Sequence, residues 1–151
     1  MENIAQADKT LAPLGLSAFA VAMTIGRLLG DSARARYGDK LLMVVCGMIA
    51  TAGLSIALSI SHPLVVMTGF FFVGIGLSVI VPIAYSVAGN SSSVSPGVGL
   101  AMVTTVGYSG FLFGPPIIGF LADWQTLRIA LIFVGILFLL MTWLSWKYES
   151  K

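Results

Sequence analysis

The residues able to do chemistry fall into two sets. The first is Gly26-Arg27-Leu28-Leu29-Gly30-Asp31-Ser32-Ala33-Arg34-Ala35-Arg36-Tyr37-Gly38-Asp39-Lys40, which gathers four of the chain's eight basic residues and two of its six acidic ones into fifteen positions. Arg27 and Asp31 stand four apart, so a helix that continues to Asp31 places them on one face where they can pair, while Gly30 and Gly38 let the backbone turn. Gly26, Arg34 and Arg36 complete this candidate hinge. The bland alternative is a short basic loop whose charges only fix membrane topology. The second set is a series of hydroxyls, Ser17, Thr24, Ser78, Tyr85, Thr104 and Tyr108, in otherwise apolar runs. Hydroxyls donate and accept hydrogen bonds without carrying charge, which suits the binding of a small organic solute rather than an ion. No enzyme is expected. A nucleophile, a base and an orienting acid would have to converge, yet His62 stands alone in a turn and no carboxylate lies inside an apolar run. Glycine-rich segments have no preceding strand and no Gly-Lys-Ser/Thr, which excludes a nucleotide loop, and no metal set or cofactor is anticipated. Nothing points to nucleic acid.

The elements that must position these groups are membrane helices. Of 151 residues, 58% are hydrophobic and 9% charged, against about 25% charge in a soluble domain, and the mean hydropathy is +0.99. Apolar segments of about 20 residues are needed to cross the hydrocarbon core. Five of them are expected, at about 11–30, 41–60, 64–88, 98–123 and 126–146, in one all-α membrane domain covering 1–151. The first begins near Pro13, and its Ser17, Thr24, Arg27 and Asp31 stack on one face that should look into protein or an aqueous cavity. The second carries Gly47, Ala50, Gly53 and Ala57 as a strip for close helix contact. Cys46 within it serves packing, since one cysteine supports neither a disulfide nor a metal site within the chain.

Ser61-His62-Pro63 forms a tight turn, so helices two and three are antiparallel neighbours, and His62 reads as a solvated turn residue. In the third helix Gly74, Ser78, Pro82 and Tyr85 share a face. Pro82 frees the carbonyl of Ser78, giving either a kinked cavity wall or an inherited kink in a packing groove. The stretch 89–97 is an uncharged, flexible linker that would let its two helices shift. In the fourth helix Thr104 and Tyr108 share a face, and Gly114, Pro115 and Pro116 interrupt the ladder and force a bend. The fifth is apolar all round and should meet lipid, with Trp124 at one interface and Trp143, Trp146 and Tyr148 at the other. Arg27, Arg34, Arg36, Lys40, Lys147 and Lys151 fall on the hinge side and Lys9 and Arg128 on the other. The N-terminus should therefore lie outside and the C-terminus in the cytoplasm. The N-terminal segment lacks a basic stretch ahead of its apolar run and reads as a retained helix, not a signal peptide.

Gly-Arg-Leu-x-Gly-Asp followed by Arg-x-Arg-Tyr-Gly-x-Lys resembles the loop signature between the second and third helices of each half of the major facilitator superfamily. Gly110 to Gly119, with Gly-x-x-x-Gly-Pro at its centre, is similar to the superfamily's glycine-proline helix. The longer run Gly-Tyr-Ser-Gly-Phe-Leu-x-Gly-Pro-Pro-x-Ile-Gly-Phe-Leu-Ala resembles bacterial sugar-permease-related inner-membrane permeases. The resemblance implies the eighth to twelfth helices of a twelve-helix transporter, an incomplete half. It implies transport of a small organic solute across the inner membrane, with a missing N-terminal half or self-association completing the bundle. The competing expectation is a truncated, non-transporting remnant or a membrane assembly partner.

Overall fold

The computed structural model describes residues 2–59 and 62–147, with side chains from residue 15 onward. Six helices follow in order: α1 (Glu2–Tyr37), α2 (Asp39–Ser59), α3 (Pro63–Ser78), α4 (Ile80–Gly89), α5 (Pro96–Trp124) and α6 (Leu127–Lys147), with no strand among the described residues. Ile60, Ser61, Tyr148 and Lys151, expected as a helix end, a turn residue, an interfacial anchor and a cytoplasmic charge, lie outside the described residues, as do the side chains of Lys9 and Pro13. Four segments are long and apolar enough to cross a membrane: Asp39–Ser59, Pro63–Gly89, Pro96–Trp124 and Leu127–Lys147. The fifth expected span, about 11–30, is the middle of α1.

Contacts group the chain into two compact units, one running to Val79 and resuming at Gly135, the other covering Ile80–Val134. In the first unit α3 is the central element, packed against α1 on one face and α2 on another, and α1 and α2 touch little. Small residues set both seams. A Cβ on Gly74 would stand 2.6 Å from the Phe19 carbonyl, and one on Gly26 would collide with the Ser78 hydroxyl, so α1 and α3 approach backbone to backbone. On the α2 side, a Cβ on Gly76 would lie 2.5 Å from the Cys46 carbonyl, and one on Gly69 would lie 2.6 Å from the Gly53 carbonyl. Ala50, Gly53 and Ala57 of the expected strip face α3, whereas Gly47 faces Thr142 of α6. Without water to drive association in lipid, such close van der Waals contact is the force that holds helices together.

Two helix boundaries differ from the sequence expectation. α1 runs for 36 residues, about 54 Å at 1.5 Å per residue, so it passes through the hinge instead of ending at Gly30. Gly30 is buried and helical, and serves as a seat for the Val79 side chain rather than as a turn. The turn is Gly38 alone, at φ +78°, whose amide donates to the Arg34 carbonyl at 2.9 Å and ends the helix in the left-handed conformation open to glycine. The expected third span is divided at Val79 into α3 and α4. Pro82 has no amide and its ring crowds the residue four positions back, Ser78. Restarting the helix at Ile80 leaves Pro82 in a first turn, where an amide has no intrahelical partner anyway.

In the second unit α4 and α5 lie side by side. Their ends are held close, since a Cβ on Gly99 would collide with the Ala88 carbonyl, and Asn90 Nδ2 donates to the Ser86 carbonyl at 2.9 Å. The 89–97 segment therefore starts as a capped helix end. α5 runs as one helix from Pro96 to Trp124 with Pro115 and Pro116 inside it, so the two prolines do not end it. Proline's fixed φ suits a helix, and the loss is confined to two donors facing the carbonyls of Phe111 and Leu112. Only 6% of the apolar stretch of α5, and the same share of α6, is buried, against 28% for α2 and 33% for the Pro63–Gly89 segment.

Candidate functional site

The hinge is built where α1 meets α2. Arg34 falls in the last turn of α1 and Asp39 in the first turn of α2, so each charge also complements the dipole of its own helix end. The one-residue connection at Gly38 brings them together. Arg34 Nε lies 2.5 Å from Asp39 Oδ1 and Nη2 lies 2.9 Å from Oδ2, a two-pronged pair. These bonds to Asp39 push the Arg34 guanidinium above its ordinary value, against a smaller opposing effect of burial, and the charges of Asp39 and Asp31 add to the shift. The ion pair that closes the hinge is thus Arg34–Asp39 and not the expected Arg27–Asp31. Arg27 and Asp31 are exposed. Arg36 lies over the Tyr37 ring at 5.8 Å, both exposed.

Asp39 is the hinge residue that sequence reasoning misses. A search for partners three or four apart along one helix passes over a pair five apart across a turn, and only the left-handed Gly38 brings them within reach.

The hydroxyls separate into three places. Ser17 and Thr24 of α1 are exposed on the helix face opposite Ala22, Gly26 and Gly30, which pack on α3. The Thr24 hydroxyl donates to the Ala20 carbonyl at 2.9 Å. Ser78 is 1% exposed, donates to the Ile75 carbonyl at 2.6 Å and packs against Gly26. It is sealed in the α1–α3 seam because the small Gly26 leaves room for it there.

Tyr85, Thr104 and Tyr108 come together in the second unit. A cleft of about 730 Å³ opens between α4 and α5, lined by Ile80, Val81, Ala84, Tyr85, Met102, Val103, Val106, Gly107, Tyr108 and Phe111. Thr104 Oγ1 lies 2.7 Å from the Leu100 carbonyl and 3.2 Å from the Tyr85 phenol oxygen. A threonine hydroxyl has one proton. With that proton on the Leu100 carbonyl, the Tyr85 phenol donates to Thr104 Oγ1 and its own lone pairs stay available toward the cleft. Tyr108, also on the lining, is 70% exposed. The apolar lining residues carry no polar signal, so nothing in their types separates them from lipid-facing neighbours. No group of three or more His, Cys, Asp or Glu able to hold a metal occurs among the described residues.

α5 also carries glycines that no described residue covers. A Cβ at Gly107, Gly110, Gly114 or Gly119 would meet nothing within 4 Å, in contrast to the crowded glycines of α2 and α3. Trp124, Trp143 and Trp146 are exposed near helix ends, with Lys147 Nζ 5.5 Å from the Trp143 ring, as suits interfacial anchors.

The sequence profile of the Major Facilitator Superfamily matches residues 1–151. The chain is 38% identical over 132 residues to the membrane protein MosC of Rhizobium meliloti, covering 87% of this chain and 32% of that protein. It is also 38% identical over 128 residues to an uncharacterised MFS-type transporter of Yersinia pestis, covering 85% of this chain and 33% of the relative. The chain thus spans about a third of the length of these curated relatives. No solved structure matches it. Helices of membrane-spanning length, a charged hinge at the end of α1 and a family match along the whole chain lead to one conclusion: this chain is a multi-pass membrane protein of the major facilitator superfamily.

Proposed function

We propose that this chain forms the C-terminal part, the eighth to twelfth helices, of an inner-membrane transporter for a small organic solute. In this reading α4 and α5 contribute Tyr85, Thr104 and Tyr108 to the solute site. The observation that carries the reading is the cleft, where the Tyr85–Thr104 pair sets a hydrogen-bonding wall between two membrane-length segments. The Arg34–Asp39 clamp, with Gly26, Arg27, Gly30, Asp31, Arg36 and Gly38 around it, acts as the gating hinge. Pro82 sets the break between α3 and α4, and Gly114, Pro115 and Pro116 leave α5 able to bend.

A second set of helices belongs against this chain. Arg27, near the end of the first span, and the glycines of α5 that no described residue covers are the surfaces such helices would meet. An N-terminal half or a second copy would cover them. The N-terminus lies outside and the C-terminus in the cytoplasm, following the placement of basic residues.

Cysteine labelling in membranes tests the cavity. Thr104→Cys and Tyr108→Cys are expected to react with a water-soluble maleimide at least tenfold faster than Ile132→Cys or Leu139→Cys on α6, which face lipid in this reading. Equal rates at all four positions contradict a water-filled cavity.

A further inference from the structure

We propose that the cleft between α4 and α5 selects an uncharged solute with a largely apolar body and one or two hydrogen-bonding groups, and disfavours both polyols and ions. The inference rests on the transport reading and narrows its substrate class.

The lining decides this. Ile80, Val81, Val103, Val106 and Phe111 supply walls of hydrocarbon, and the only hydrogen-bonding side chains on them are the phenols of Tyr85 and Tyr108. A sugar brings many hydroxyls, of which two phenols can serve only a few, so most of them find no side-chain partner on these walls. An ion fares worse, because the lining holds no Asp, Glu, Lys, Arg or His to balance it. A molecule with an aromatic or alicyclic body gains from the same walls, since they remove its surface from water. The volume of about 730 Å³ falls in the range of pockets that hold drug-sized organic ligands.

The polar contact is fixed in position. Tyr85 is held by Thr104, which is itself anchored to the Leu100 carbonyl, so the phenol presents its lone pairs to a ligand hydroxyl at a set height on the wall. Tyr108 makes no hydrogen bond among the described residues and is open to donate to a ligand oxygen. Tyr85 and Tyr108 are the contacting residues, and Thr104 is a positioning residue that acts through Tyr85.

Equilibrium dialysis of the 151-residue chain in lipid nanodiscs tests the selection, with radiolabelled 1-naphthol, glucose and 1-naphthoate as probes and protein-free nanodiscs as background. Val106→Trp fills the cleft from a position 72% exposed, and Ile132→Trp adds a tryptophan elsewhere as a control. Saturable 1-naphthol binding is expected, at least tenfold tighter than either competitor, lost in Val106→Trp and retained in Ile132→Trp. Tyr85→Phe should weaken it about three- to tenfold, the worth of one hydrogen bond. Thr104→Val should weaken 1-naphthol but leave binding of naphthalene, which has no hydroxyl, unchanged. Glucose or naphthoate bound more tightly, and lost in Val106→Trp, overturns the substrate class while leaving the cavity as a solute site. Naphthol uptake that does not saturate, or that Val106→Trp leaves unchanged, is membrane partition alone and overturns the cleft as a binding site.

Discussion

Replacing Gly69 with alanine is a sharp test of how the first unit holds together. A Cβ there stands 2.6 Å from the Gly53 carbonyl oxygen and from the Ala57 Cβ, and 2.7 Å from the Ala57 amide nitrogen. None of these is the far end of a flexible side chain, so the strain is relieved only by parting α2 from α3. Ordinary contact begins near 3.4 Å, which requires a separation of about 0.8 Å. A radial gap of about 0.5–1 Å forfeits roughly a quarter to a half of the dispersion attraction at each contact. Overpacking of a tight interior costs about 1–3 kcal/mol, and a backbone-on-backbone seam belongs in the upper part of that range, about 2–3 kcal/mol. That is roughly a thirtyfold or greater change in the unfolding constant. Gly107→Ala on α5 is the control, since a Cβ there meets nothing. It should be neutral, or stabilising by up to about 1 kcal/mol through helix propensity. Reversible unfolding in dodecyl sulfate mixed micelles, followed by helical circular dichroism, reads both. If Gly69→Ala and Gly107→Ala shift the midpoint equally, the contrast between covered and uncovered glycines is wrong.

Breaking the hinge clamp by Arg34→Gln or Asp39→Asn should cost about 0.5–1 kcal/mol, the scale of a partly exposed pair. A double-mutant cycle should assign most of that to coupling, and Arg27→Gln should cost almost nothing in the same unfolding assay. Pro82→Ala restores an amide beneath the Ser78 carbonyl, so α3 and α4 should fuse. Hydrogen exchange read by NMR should then find that the backbone amide introduced at position 82 is protected, and rapid exchange there would assign the break to the Val79 seat on Gly30 instead. For orientation, Asn3→Cys should react with an impermeant thiol reagent in intact cells and Ser150→Cys should not, and the reverse pattern refutes an external N-terminus.

Composition and apolar run length made the helical class and most of the spans legible, because the bilayer demands about 20 apolar residues per crossing. The small-residue spacing of Ala50, Gly53 and Ala57 likewise identified the α2 face that meets α3. Pro82 pointed to the right segment, although its effect lies three residues earlier, where the helix divides at Val79. Glycine was the least readable residue. Gly30 and Gly38 sit in the same charged stretch, yet one is a packing seat inside a helix and the other is the turn, since the choice depends on Val79, far away in sequence. Ser78 and Tyr85 share a face in an unbroken helix, and the break at Val79 sends one into the α1–α3 seam and the other to the cleft. The Tyr85–Thr104 bond joins residues 19 apart and depends on how α4 lies against α5, which no local pattern encodes.

Solute uptake into liposomes tests the proposed role most directly, using the purified 151-residue chain alone and the chain co-expressed with an N-terminal half taken from one of its longer relatives. Alternating access requires two bundles moving against each other around a site between them. Saturable uptake is therefore expected only when the second bundle is present, and it should fall at least tenfold when Val106→Trp fills the cleft. Saturable uptake by the chain alone at a dilution where it is monomeric, or uptake by the pair that Val106→Trp leaves untouched, would contradict the proposal.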